Sequence, residues 1–104
     1  ELALTPEKKV KEKVKKILKE LNCYYCMPST GGYGSSGVPD IITCYEGRFI
    51  GIECKANGNK PTALQQKNLQ DIINAKGQSL IIDEKNIDML KLLIQTNINN
   101  IKEY

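Results

Sequence analysis

The chain has 104 residues, of which 40% are hydrophobic and 26% are charged, and it carries a net charge of +3 at neutral pH. This length predicts one compact domain with a single core. The apolar runs are far shorter than the roughly 20 residues that a membrane-spanning helix needs. A net charge this small does not by itself identify a polyanionic partner.

The first predicted helix begins at Thr5-Pro6, an N-cap threonine followed by a proline whose missing N–H costs nothing there. Its apolar residues recur at helical spacing to about residue 22 and define one buried stripe: Val10, Val14, Ile17, Leu18 and Leu21. Seven lysines crowd the same helix: Lys8, Lys9, Lys11, Lys13, Lys15, Lys16 and Lys19. They form either a solvated face with i,i+4 ion pairs or a phosphate-contacting surface, and composition does not decide between the two.

Four cysteines raise the question of zinc or disulfides. Cys23 and Cys26 form one C-x-x-C, but no second such pair and no histidine are present, so the usual zinc spacings fail. Cys44 and Cys54 lie in strand-like runs, where a free cysteine behaves as a small buried apolar residue. We therefore expect structural cysteines, no zinc, and a reduced cytoplasmic protein.

Residues 29–37 are rich in glycine and are predicted to form a loop. Three of its glycines match G-x-G-x-x-G, but a strand follows rather than the helix that a dinucleotide site requires, and we exclude such a site. Tyr33 in this loop is a candidate for stacking on a nucleic-acid base, although loop tyrosines are often merely exposed.

The remaining elements follow in a regular order. A short strand covers residues 23–27, strands at 40–45 and 49–55 form a hairpin, and a helix covers 62–75. The second helix has an expected buried stripe of Leu64, Leu69, Ile72 and Ile73 and ends at Gly77 as its C′ residue. A strand at 78–83 and an apolar helix at 87–95 complete the chain. The order α-β-β-β-α-β plus a C-terminal helix predicts an α/β or α+β fold around a small mixed sheet flanked by helices.

The candidate site residues Asp40, Glu53 and Lys55 lie on the predicted hairpin. With the two-residue loop Glu46-Gly47, counting back along the strands places Asp40 opposite Glu53. Opposed residues in an antiparallel pair have Cβ atoms about 4.5–5.5 Å apart on one face, and alternation puts Lys55 on that face too. Two adjacent carboxylates repel each other, and a hard divalent cation such as Mg²⁺ would compensate them. The alternative is a carboxylate–lysine salt bridge at an exposed sheet end, which contributes little.

Three segments together resemble the virus-type replication-repair nuclease (VRR-NUC) domain of the PD-(D/E)XK nuclease superfamily, in its stand-alone phage form. They are GVPD at 37–40, GIECK at 51–55 and TALQ at 62–65. The resemblance covers about residues 7–83, with residues 86–104 as a C-terminal helical extension of the same single domain. The superfamily core has the order α-β-β-β-α-β.

The resemblance implies a metal-dependent phosphodiester hydrolase. Asp40, Glu53 and the backbone carbonyl of Cys54 would bind one or two Mg²⁺ or Mn²⁺ ions, and Lys55 would position or help deprotonate the attacking water. The family's helix glutamate is assigned to Glu7, because Glu7 lies on the buried stripe whereas Glu12 and Glu20 do not. A first-turn glutamate favoured by the helix dipole is an equal alternative.

The second helix supplies the family's glutamine at Gln65, with Gln66 as a fallback. Gln65 also fits a capping box with Thr62, and both interpretations can hold together. Lys60 and Lys67 near this helix start are candidates for phosphate contact, with solvated lysines as the default.

The expected function is a structure-selective DNA endonuclease acting on branched DNA such as Holliday junctions. A two-fold homodimer would cut such a junction symmetrically, with the apolar C-terminal helix as its candidate interface. The alternatives are a non-catalytic DNA-binding module with a nuclease-like fold and a purely structural small protein.

Overall fold

The computed structural model describes residues 4–29 and 37–101 and has a mixed α+β architecture, which confirms the predicted fold class. The elements in chain order are α1 (Pro6–Glu20), β1 (Tyr24–Cys26), β2 (Ile41–Tyr45), β3 (Arg48–Cys54), α2 (Ala63–Asn74), β4 (Gln78–Ile82), a 3₁₀ turn (Ile87–Met89) and α3 (Leu90–Thr96). Within the described ranges, no helix combines the length and the apolar character needed to cross a bilayer.

The four strands form one mixed sheet in the order β1-β2-β3-β4. β1, β2 and β3 pair antiparallel, whereas β3 and β4 pair parallel. A parallel pair needs a crossover connection, and α2 provides it. The carboxyl ends of β3 and β4 therefore lie at the same end of the sheet. Asp40, the residue that precedes β2, lies at that end too.

One face of the sheet carries the main core. Ile50, Ile52 and Cys54 of β3 are fully buried there and cluster with the apolar stripe of α1 and with α3. α2 covers the opposite face, where a Cβ added to Gly51 would lie only 2.6 Å from Cδ1 of Ile72. Alternation along β3 thus gives one side chain to the α1/α3 face and the next to the α2 face.

The predicted buried stripe of α2 is only partly right. Leu69 is fully buried, but Leu64 is 42% exposed. Leu64 lies in the first turn, against the backbone of Gly37: a Cβ added to Gly37 would come within 2.6 Å of Cγ of Leu64. Its partner is therefore a segment distant in sequence rather than the sheet, and helical periodicity cannot identify such a partner.

The end of α2 also differs from the prediction by one residue. Lys76, not Gly77, takes the left-handed conformation at C′, with φ +75°. The N–H groups of Lys76 and Gly77 donate to the carbonyls of Ile73 and Ile72, which is a Schellman motif. Gly77 is needed for space, because a Cβ there would lie 2.7 Å from Cγ2 of Ile72.

The C-terminal segment completes the core and covers one sheet edge. Ile87, Leu90 and Ile94 of the 3₁₀ turn and α3 are buried in the core. The predicted C-terminal helix, apolar nearly all round, therefore packs against the protein with one of its faces. Beyond α3, Oδ1 of Asn99 accepts from the N–H of Ser79 at 2.7 Å, and Asn100 makes a similar contact with Ile81. These amides occupy backbone groups at the open edge of β4.

Candidate active site

The hairpin register agrees with the count made from the sequence. Tyr45 pairs with Arg48, and the ladder continues in step to Ile41 opposite Ile52. Glu46 and Gly47 both have positive φ, 48° and 83°, as a two-residue type I′ turn requires. Asp40 directly precedes the first paired residue of β2 and Glu53 directly follows Ile52, so the structure brings the two carboxylates to the same end of the hairpin.

Asp40 is anchored across the end of β3. Its Oδ2 accepts a hydrogen bond from the backbone N–H of Cys54 at 2.8 Å. Its Oδ1 lies 3.5 Å from Nζ of Lys11 on α1. The side chain is 20% exposed, so Asp40 joins the strand end to the first helix while remaining accessible to solvent.

Glu53 is almost completely buried, with 1% of its surface exposed. Oε2 lies 3.5 Å from Nζ of Lys55, whose side chain is 12% exposed. Oε1 is buried and has no hydrogen-bond partner among residues 4–29 and 37–101. Buried side-chain oxygens nearly always have a partner. A cation, or a proton shared with the neighbouring Asp40 carboxylate, would supply one for this oxygen.

Burial, followed by the negative charge of Asp40, raises the pKa of Glu53 from 4.5 to about 7. Lys55 lowers the pKa but does not offset these two effects. Without a cation the carboxyl therefore holds its proton close to neutrality. A divalent ion at the two carboxylates would favour the ionised form of both.

Cys54 follows Glu53 on β3, and its backbone N–H donates to Asp40. Its thiol is fully buried on the α1/α3 face, and burial raises the pKa of this thiol well above its ordinary value. The thiol is therefore a neutral core group. In the structure, the backbone N–H of Cys54 donates a hydrogen bond to Asp40. The predicted metal contact involves the backbone carbonyl of Cys54 instead.

Lys11 is a site residue that the sequence reasoning did not single out. Its Nζ lies 3.8 Å from Oε2 of Glu7 and 3.5 Å from Oδ1 of Asp40. The i,i+4 spacing to Glu7 is a local signal, but the contact with Asp40 joins residues 29 positions apart and depends on the packing of α1. Glu7, with its side chain 40% exposed, reaches the site through Lys11.

The predicted residues of α2 lie at its N-terminus. Gln65 and Thr62 form the expected capping box: Oε1 of Gln65 accepts from the N–H of Thr62 at 2.9 Å, and Thr62 Oγ1 accepts from the N–H of Gln65 at 3.2 Å. Lys60 is exposed, and it lines a cavity of about 240 Å³ together with Gln66. Lys67 is 68% exposed and pairs with Asp71 at 2.7 Å.

The loop tyrosine Tyr33 lies outside the described residues. All four cysteines lie within them, and all four are free thiols. Cys54 is buried as expected, but Cys44 is exposed, because its position on β2 faces away from the α1/α3 core. The prediction that Cys44 is a buried core residue is therefore wrong.

The donor set suits a hard cation. Asp40 and Glu53 offer carboxylate oxygens, one of them unsatisfied, and oxygen donors are what Mg²⁺ and Mn²⁺ prefer. Among the described residues, no three His, Cys, Asp or Glu side chains are gathered closely enough to hold one ion. Glu7 is thus not placed as a third carboxylate ligand, and the remaining coordination positions would be filled by backbone, water or phosphate oxygens.

Comparison of the chain with protein-family models, with characterised proteins and with solved structures gives no significant match.

Proposed function

We propose that this chain is a metal-dependent nuclease that hydrolyses phosphodiester bonds. The observation that carries the proposal is the unsatisfied, buried Oε1 of Glu53 beside Asp40 at the end of the hairpin. Burying a carboxylate beside a second one costs stability, and a purely structural site would be expected to satisfy both of its oxygens. A cation-binding role accounts for both features at once.

Each residue has a role that follows from its position. Asp40 and Glu53 would hold the ion, with Asp40 kept in orientation by the N–H of Cys54. A bound divalent ion supplies Lewis-acid activation of water and neutralises charge on the phosphate. Lys55 lies 3.5 Å from Oε2 of Glu53 and is largely shielded from solvent, which suits a group that positions the attacking water.

The substrate is proposed to be DNA, and in particular branched DNA such as Holliday junctions. This finer proposal rests on the likeness of the GVPD, GIECK and TALQ segments to the stand-alone VRR-NUC form. A homodimer would let two active sites cut a four-way junction symmetrically. The exposed side chains of Met89 and Leu92 make the outer face of the C-terminal helical region the candidate interface.

Cleavage of labelled linear, flap and four-way DNA with Mg²⁺, Mn²⁺ or EDTA tests the proposal. Asp40→Asn should lower the cleavage rate by about a thousandfold or more, and Lys55→Ala by about 10²–10⁴-fold, because each removes a group acting at the reacting phosphate. Asp88→Asn and Lys85→Ala are matched controls at exposed positions, and both should cut at the normal rate.

Full cleavage by Asp40→Asn would refute the assigned site. If the unaltered chain bound DNA with salt-dependent affinity but cut none of the substrates with either metal, the protein would be a non-catalytic DNA-binding module.

A further inference from the structure

Lys11 differs from the ion-paired helix lysines Lys15 and Lys67 because it has two acidic neighbours, one of them outside its own helix. Its side chain is 22% exposed. Its Nζ lies between two acidic residues, Glu7 on its own helix and Asp40 at the hairpin end. Packing of α1 against the sheet therefore holds a positive charge directly beside one of the proposed metal ligands.

The two ion pairs of Lys11 are loose. The Nζ–oxygen distances are 3.8 Å to Glu7 and 3.5 Å to Asp40, whereas Lys15 approaches Glu12 to 2.9 Å on the same helix. At these separations the ammonium balances charge without a short hydrogen bond to either carboxylate. A flexible four-carbon side chain held in this way can exchange one anionic partner for another.

The charge balance of the site gives the direction of that exchange. Without a cation, three carboxyl groups (Glu7, Asp40 and Glu53) face two ammonium groups (Lys11 and Lys55), so the site has no net positive charge to attract a phosphodiester. One divalent cation changes the net charge to one positive. The cation then balances the charge of Asp40, so Lys11 is free to leave that carboxylate.

We propose that Lys11 is a phosphate-binding residue of this site, held on Asp40 before a divalent cation binds and released to the DNA backbone when it does. This inference rests on the proposed nuclease function and adds to it a coupling: the cation prepares the site for the phosphate by freeing a lysine. Because phosphates are common to every sequence, the contact contributes affinity and positioning without base specificity.

Manganese binding without DNA tests the first half. In Lys11→Met the competing charge is gone, so the affinity for Mn²⁺, measured by electron paramagnetic resonance, should rise roughly tenfold. Lys11→Arg keeps the charge and should bind Mn²⁺ like the unaltered chain. Lys15→Met is the matched control, because Lys15 is similarly shielded (24% exposed) and ion-paired one turn further along α1. Its Mn²⁺ affinity should not change.

The salt dependence of DNA binding tests the second half. In Ca²⁺, used in place of the catalytic metal, Lys11→Met should reduce the slope of log affinity against log salt by about 0.9, the value for one lost phosphate contact. In EDTA the slopes of Lys11→Met and the unaltered chain should be equal, because Lys11 is then still engaged with Asp40. Circular dichroism and thermal unfolding establish that the variant is folded.

An unchanged or weaker Mn²⁺ affinity in Lys11→Met would overturn the inference, as would an unchanged slope in Ca²⁺ or an equal loss of slope in EDTA. Failure of the proposed function looks different: the unaltered chain would bind no Mn²⁺ or would cut no DNA. A chain that binds Mn²⁺ and cuts DNA, with Lys11→Met behaving as the unaltered chain, refutes the role of Lys11 alone.

Discussion

Two buried polar side chains, Gln78 and Glu53, lie on neighbouring strands of one sheet and have opposite hydrogen-bonding states. Gln78 is fully buried, and all of its polar groups are used: Nε2 donates to the carbonyls of Leu93 and Ile98, and Oε1 accepts from Nε of Arg48. Glu53 is equally buried, but it has an unsatisfied oxygen and a pKa raised to about 7.

The difference separates a structural polar group from one that we propose to be functional. Gln78 ties the start of β4 to the C-terminal segment, and Arg48 extends the network to the carbonyl of Ile94. Every bond in this network is made within the chain. At Glu53 one acceptor has no partner among residues 4–29 and 37–101, at the hairpin end that also holds Asp40, and a bound cation would supply one.

The largest predicted change in the free energy of unfolding is for a substitution of Gln78. Gln78→Met keeps an unbranched side chain of similar length but removes three hydrogen bonds, one of them from a guanidinium group. The free energy of unfolding should fall by about 4 kcal/mol, as measured by urea denaturation. The fraction that stays folded should bind Mn²⁺ normally. Loss of Mn²⁺ binding by folded Gln78→Met would show that the two regions are not separate.

Glu53→Gln should have the opposite effect on stability, and the effect should depend on pH. The folded pKa of Glu53, about 7, lies above its ordinary value of 4.5, so the folded chain binds this proton more tightly than the unfolded chain. That stabilisation is fully present below about pH 4.5 and is lost as the pH rises through about 7. Glutamine mimics the protonated carboxyl, so Glu53→Gln does not lose this stabilisation as the pH rises.

In EDTA, urea denaturation should therefore give equal stability to Glu53→Gln and the unaltered chain near pH 4.5. Glu53→Gln should be the more stable of the two by about 3 kcal/mol above pH 8. The same variant should lose cleavage activity, because it lacks a ligand charge. A stability difference independent of pH would contradict the raised pKa.

The smallest effect is expected at an exposed ion pair, which serves as the reference for both buried groups. Lys67 and Asp71 approach to 2.7 Å, yet their side chains are 68% and 58% exposed. Lys67→Met should change the free energy of unfolding by less than about 0.5 kcal/mol, since water screens such pairs. A change as large as that of Gln78→Met would mean that short distance matters more than burial in this protein.

The sequence was sufficient for the parts of the fold that depend on local chemistry. The Glu46-Gly47 turn determines the register of the hairpin, and with it the placement of Asp40 beside Glu53. The Thr62–Gln65 capping box sets the start of α2. In each case the residues that interact are close in sequence or are related by strand pairing, so spacing alone predicts the contact.

The contacts that could not be predicted join distant segments. Lys11 reaches Asp40 only because α1 packs over the end of the hairpin. Leu64 lies against the backbone of Gly37, which no helical period reveals. Gln78 appeared to be an ordinary strand residue, although a glutamine at the start of an apolar strand is a weak signal of a buried polar contact. Its partners are two carbonyls of the C-terminal segment and an arginine of β3, all distant from it in sequence.

The asparagines beyond α3 limit how this protein can associate with copies of itself. An open strand edge is a template for pairing with another chain and hence for aggregation. Asn99 accepts a hydrogen bond from the N–H of Ser79. Asn100 accepts one from the N–H of Ile81 and donates one to the carbonyl of Ile81. An incoming strand would need these backbone groups. Growth of a continuous intermolecular sheet from β4 is thereby opposed, and a dimer built by strand addition would have to start from β1, which has only three residues to offer.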